Sequence, residues 1–233
     1  MKIEIAICYL FFIVCIASCA KTVCPEPITT VDTIKTSTPI VTTPPSLKTV
    51  VTLQPGSEGK DALINNTGPS QNFSSRSYLH ARAWTVNGIL SIEKSLIQFD
   101  YSIIPAGAVI TKATLTFFAD TTVDTGSIGH SQLSGPNEWV LKRITQAWEE
   151  TTVTGDTEPT TDLVIQCAAS TSPWQAYELD VTSWVADEIA HPTSYYGFLM
   201  QINDDTPYRA INFCSSDHEY PSLHPKIVIE FTK

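Results

Sequence analysis

The residues Ile110-Thr111-Lys112-Ala113-Thr114-Leu115-Thr116-Phe117-Phe118 alternate between apolar and polar side chains with a period close to two. That period places Ile110, Ala113 or Leu115, and Phe117 near one face of an extended chain, the pattern of a half-buried strand. Similar short runs recur at 77–84, 94–99, 138–144, 162–167, 176–181, 197–202, 209–214 and 226–231, separated by clusters of Gly, Pro, Asn and Asp. Many short strands with turn signals between them indicate an all-β fold, a single β-sandwich of the jelly-roll kind.

One helix interrupts the pattern. Val181, Trp184, Val185 and Ile189 recur at helical spacing, with Asp180 or Thr182 as the cap and His191-Pro192 closing the segment. Its apolar stripe is expected to cover an end of the sandwich. Ile104-Pro105-Ala106-Gly107 reads as a tight turn, in which proline sets one torsion and glycine supplies a positive one.

The N-terminus has a different character. Residues 5–17 are almost wholly apolar, follow Lys2 and end in the small residues Ala17 and Ser18, the layout of a secretory signal. The run is short for a spanning helix, which needs roughly 20 apolar residues. Ile16-Ala17-Ser18-Cys19 resembles the lipobox of bacterial lipoproteins, in which the cysteine thiol takes the lipid; Cys8, Cys15 and Cys24 lack small residues ahead of them. Residues 1–18 are therefore expected to be a lipoprotein signal peptide and Cys19 the lipid-bearing residue that ties the chain to a membrane. Ala20 stands where aspartate would suggest inner-membrane retention, so the expected location is the outer membrane, at the cell surface, with the periplasmic face left open.

From 19 to 50 the chain is crowded with Thr and Pro, including Pro25, Pro27, Pro39, Pro44 and Pro45, and it reads as an extended tether. Asp32-Thr33-Ile34 resembles the O-glycosylation acceptor pattern of the Bacteroidota, which makes Thr33 the candidate acceptor. The remaining 51–233 is long enough for one sandwich. A formal net charge of −10 argues against nucleic acid as a partner.

Several blocks run in order through that domain: Leu53-Gln54-Pro55-Gly56-Ser57-Glu58-Gly59-Lys60-Asp61, Leu96-Ile97-Gln98-Phe99-Asp100, Arg143-Ile144-Thr145 with Trp148-Glu149-Glu150, Leu179-Asp180-Val181-Thr182, Tyr196-Gly197-Phe198, and Phe213-Cys214-Ser215-Ser216-Asp217. In this set and order the chain resembles the DNRLRE domain family. The resemblance implies an extracellular β-sandwich without catalytic activity, since some members are classed as carbohydrate-binding modules for alginate-like polysaccharides. It identifies no ligand.

Sugar binding needs exposed aromatic faces flanked by polar groups. In Tyr78-Leu79-His80-Ala81-Arg82-Ala83-Trp84, alternation sends Tyr78, His80, Arg82 and Trp84 one way and Leu79, Ala81 and Ala83 the other. With the small apolar side inward, the first four would form an open face that stacks on a sugar and pairs with a uronate; the other reading buries the aromatic side. Lys60, Arg76 and Arg209 are further cations whose proximity cannot be read from sequence. Glu58 and Asp61, with Asp204 and Asp205, offer the hard oxygens that calcium takes. Cys167 and Cys214 lie in expected strands of an exported domain, as a disulfide or as two buried thiols.

Catalytic signals are weak. Trp148-Glu149-Glu150 places two carboxylates side by side, and on a strand they would point to opposite faces. Asp217-His218-Glu219 with His224 reads as a solvated turn, because neither an HExxH nor a GxSxG pattern occurs in the chain. The expectation is a lipid-anchored, non-enzymatic module that binds polysaccharide, either uronate or neutral. The alternative is a structural or adhesive component of an outer-membrane protein assembly.

Overall fold

The computed structural model describes residues 47–56, 59–121 and 129–233. The signal, Cys19, Thr33, most of the tether and Glu58 lie outside these residues. The described part is an all-β sandwich with one α-helix. Its first strand, β1 (Lys48–Leu53), starts three residues before the boundary expected from composition and pairs with the last, β12 (Lys226–Thr232).

One sheet has the order β1-β12-β5-β9, where β5 is Val109–Phe117 and β9 is Tyr177–Asp180. The other runs β6-β11-β3-β4-β10-β7-β8, with β2 (Lys60–Asn65) paired to β4. Here β3 is Tyr78–Val86, β4 Ile89–Gln98, β6 Ser131–Gln132, β7 Trp139–Ile144, β8 Thr161–Cys167, β10 Phe198–Ile202 and β11 Arg209–Cys214. All nine expected strands are present. Sequence reasoning missed β1, β2 and the two-residue β6.

Alternation places the core between the sheets: Leu79, Ala81 and Ala83 from β3 meet Leu115 and Phe117 from β5, Ile227 and Ile229 from β12, and Phe213 from β11 in one buried cluster. A β-bulge resolves the ambiguity of β5. The register against β12 slips between Glu230 and Phe231, which pair with Lys112 and Ile110. The extra residue, Thr111, shifts the phase, so Ile110 packs on the same core as Ala113 and Leu115.

Helix α1 (Thr182–Ala190) buries Trp184 and Val185, and Trp184 stacks on Phe198 with ring centroids 6.0 Å apart. The N-cap falls on Val181, not on Asp180 or Thr182, and makes no side-chain cap bond; Asp180 instead accepts hydrogen bonds from the Thr182 backbone N–H (2.9 Å) and hydroxyl (2.6 Å). In the turn before β5, Gly107 has φ 78° and the Ala108 N–H reaches Pro105 O at 3.1 Å, as the residues predict.

A second buried cluster joins Ala62 and Ile64 of β2, Leu96 of β4 and Leu199 of β10 to Ile144, Trp148 and Val153. Trp148 is thus a core residue, with its Nε1–H donating to Tyr196 O at 3.0 Å. Residues 148–153 form a turn and not a strand: the Glu149 carbonyl accepts from the N–H groups of Thr152 and Val153. Glu149 is exposed while Glu150 leans inward.

Candidate functional site

The outward side of β3 keeps its predicted direction but not its predicted openness. Tyr78, Arg82 and Trp84 are half-buried, whereas His80 is 5 % exposed. Its ring lies under Tyr78, centroids 4.2 Å apart and nearly parallel. Antiparallel pairing of β3 and β4 sets Glu93 opposite Arg82. The Glu93 carboxylate accepts from His80 Nδ1 at 2.7 Å and from Arg82 Nη2 at 2.7 Å. Burial pushes the Glu93 carboxyl up, but the hydrogen bonds from His80 and Arg82 outweigh it and hold the group at about 2. Burial likewise lowers His80, so the ring is a neutral donor. Two of the four candidate residues are therefore tied to a carboxylate supplied by a neighbouring strand. Local sequence carried no sign of this.

A different residue completes the exposed part. The ring of Tyr208, 41 % exposed, meets Trp84 edge-on at 5.1 Å, and its hydroxyl lies 3.2 Å from Thr85 Oγ1. Tyr208 has φ 75°, a left-handed conformation that is uncommon for a bulky residue. It is held there by the hydrogen bond from its N–H to Ala83 O at 2.8 Å. The β3–β4 hairpin carries Trp84 outward, turning through Asn87 (φ 52°) and Gly88 (φ 79°), and its tip exposes Val86, Ile89 and Leu90. At the other end of β3, Arg76 lies over the rings of Phe73 (5.5 Å) and Tyr78 (5.8 Å). Arg209 is paired with Asp204, and Lys60 sits over Trp148 at 4.6 Å.

A cleft of about 900 Å³ opens between the end of β1, residues 98–106 and α1, lined by Gln54, Lys60, Tyr101 and Glu188 among others. Phe99 there is 4 % exposed and the Tyr101 hydroxyl is buried without a partner. Burial pushes Glu188 up to about 7 despite the hydrogen bond from Gln98.

The calcium candidates do not converge. Asp204 accepts from Thr206 N and pairs with Arg209. Asp205 lines a small cleft with Asn65 and Asn66 at the far end of β2 from Asp61. Four residues of strand separate Asp61 from Asn65, roughly 13 Å. Asp61 instead is buried beside Glu150 and Ser216.

Cys167 and Cys214 are both free and buried, so the disulfide reading is corrected to two thiols. Burial pushes each up to about 12. The segment read as a solvated turn is also different, since His218 and His224 are buried. Asp120, Cys214 and His218 bring metal-ligating atoms within 4.8 Å of one another. The hydrogen bonding does not suit a metal there. His218 Nδ1 accepts from Tyr220 N, so the neutral ring keeps its proton on Nε2, the nitrogen that faces Asp120 at 3.7 Å.

The model of carbohydrate-binding module family 96 matches residues 53–231, nearly the whole sandwich. No curated protein matches the chain.

Proposed function

Because the chain belongs to carbohydrate-binding module family 96, we propose that it holds polysaccharide on the pair formed by Trp84 of the β3–β4 hairpin and Tyr208, which precedes β11, with Thr85 beside it. The observation that carries this reading is Tyr208, which keeps a strained backbone and presents its ring at the edge of Trp84. Ring faces of this kind stack on pyranose rings, while nearby hydroxyls bond to sugar hydroxyls. Since Glu93 already neutralises Arg82 and the chain carries a net charge of −10, a neutral glycan is the better fit. Arg76 is the cation through which a uronate would be recognised.

Affinity electrophoresis of the chain in gels containing neutral and uronate polysaccharides tests this. Trp84→Ala and Tyr208→Ala should each weaken the retarding interaction tenfold or more, about 1.4 kcal/mol, while leaving the unfolding midpoint nearly unchanged. Parental retardation in both variants would remove the pair from the site. Retardation by uronate alone, lost in Arg76→Ala, would overturn the preference for a neutral chain.

The order Ile16-Ala17-Ser18-Cys19 supports a lipid on Cys19 that anchors the module in the outer membrane, with the Thr/Pro-rich tether as spacer. Labelled palmitate should then be incorporated by the parent chain and not by Cys19→Ala. The alternative, a component of an outer-membrane protein assembly, has one observation in its favour: the apolar hairpin tip, with Ile89 65 % exposed.

A further inference from the structure

We propose that Trp174, in the loop between β8 and β9, is a second platform on which a pyranose residue stacks, a role that rests on the glycan-binding reading. Trp174 is 50 % exposed, although tryptophan ordinarily buries most of its large apolar surface. Its loop neighbours Thr171, Ser172 and Gln175 supply hydroxyl and amide groups, and the first two are exposed with it. An open aromatic ring with such groups at its rim is the chemistry that a sugar residue fits: the C–H face of the pyranose packs on the ring, and its hydroxyls find polar partners beside it.

The loop holds this ring in place from both sides. His130 is 4 % exposed and bonds to the carbonyl groups that flank Trp174: its backbone N–H donates to Pro173 O at 2.8 Å and its Nε2–H to Gln175 O at 2.8 Å. That tautomer follows from Asn212, whose N–H donates to His130 Nδ1 at 3.0 Å. Gln175 Oε1 accepts from the Thr171 N–H at 2.6 Å and from its hydroxyl at 2.9 Å, which closes the loop on itself and leaves the Gln175 amide Nε2 to donate. Gly129 lies against the ring with φ 72°. A Cβ at that position would stand 2.8 Å from Trp174 Cζ3 and 2.9 Å from Cε3, and would run into the Pro173 carbonyl oxygen, so only glycine lets the ring settle there. A side chain fixed in this way loses little freedom when a ligand binds.

The platform also stands close to the segment that carries Tyr208. Gly129 is two residues before Ser131, at most about 7 Å along the chain, and the Ser131 hydroxyl donates to Tyr208 O at 3.0 Å. A polysaccharide, with many residues to offer, can therefore engage both.

The test uses the full chain and the polysaccharide that retards it most in affinity gels. Trp174 should be oxidised by a low ratio of N-bromosuccinimide in the free chain and protected by that polysaccharide, as read by peptide mass mapping. Trp174→Ala should weaken retardation about fivefold, the scale of one aromatic stacking contact, with an unfolding midpoint near that of the parent. If Trp174→Ala does not fold, protection in the parent decides. The platform is overturned if the folded variant keeps parental retardation, or if the polysaccharide does not protect Trp174. In that case loss of retardation in Trp84→Ala and Tyr208→Ala would leave the glycan-binding reading standing. The converse, loss in Trp174→Ala alone, would remove the Trp84–Tyr208 pair and keep Trp174. A parent chain that no polysaccharide retards overturns both.

Discussion

Replacing Glu93 with alanine is expected to destabilise the domain by about 3–5 kcal/mol, the usual cost of removing one partner from a buried ion pair. Glu93 is 7 % exposed and satisfies two groups at once. Its loss leaves the His80 Nδ1–H without its acceptor and strands the Arg82 guanidinium, whose Nε already lacks a partner. Urea unfolding at pH 7 reads the effect. The double variant Glu93→Leu with Arg82→Leu should recover much of the loss, because no isolated charge is then left behind. If the single variant costs less than about 1 kcal/mol, the His80–Glu93–Arg82 network is not what holds β3 to β4.

Asp61→Asn is expected to behave in the opposite sense at neutral pH, and the sign follows from linkage. The Asp61 carboxyl is raised from 3.8 to about 7 by burial, so the folded state prefers the protonated form. The stabilisation from that preference is fully present below the unfolded value and is lost as pH rises through about 7. Between pH 5 and pH 7 the parent should therefore lose about 2 kcal/mol through this group, at 1.36 kcal/mol per unit of pH where the two states differ by one proton. Asparagine carries no such loss. Unfolding free energies of variant and parent, measured at several pH values, should show the variant gaining about 2 kcal/mol on the parent from pH 5 to pH 7.

Comparing the variant with its parent is necessary because other groups titrate in the same window. Glu188, also raised to about 7 by burial, changes with Asp61. His80 and His130, lowered by burial, lose stability as pH falls. A difference that does not change with pH would mean that Asp61 is ionised at pH 5 in the folded domain.

The parts of this protein that were legible in the sequence are those set by local periodicity. The nine alternating runs became strands, and the helical spacing of Val181, Trp184 and Val185 became α1. The proline and glycine of 104–107 made their turn. A side chain's face follows from the pleat alone, so Leu79, Ala81 and Ala83 could be placed in the core without knowledge of what covers them. The strands that escaped lacked that signal. Ala62-Leu63-Ile64 in β2 is buried without alternation, because β2 is covered on both sides. Tyr208 is a lone aromatic after Pro207, with no period to mark it.

Alternation along β3 determined that Tyr78, His80, Arg82 and Trp84 point away from the core, and the order of residues around Cys19 determined the expectation of a lipid anchor. Tertiary structure alone decided what the outward side chains meet. Strand pairing set Glu93 against His80 and Arg82, and brought Tyr208 to Trp84 across 124 positions of chain. It also separated Asp61 from Asp204 and Asp205 and joined it to Glu150 and Ser216. The physical reason is that orientation within a strand is a property of neighbouring residues, whereas burial, pairing and charge depend on which distant segments register beside them.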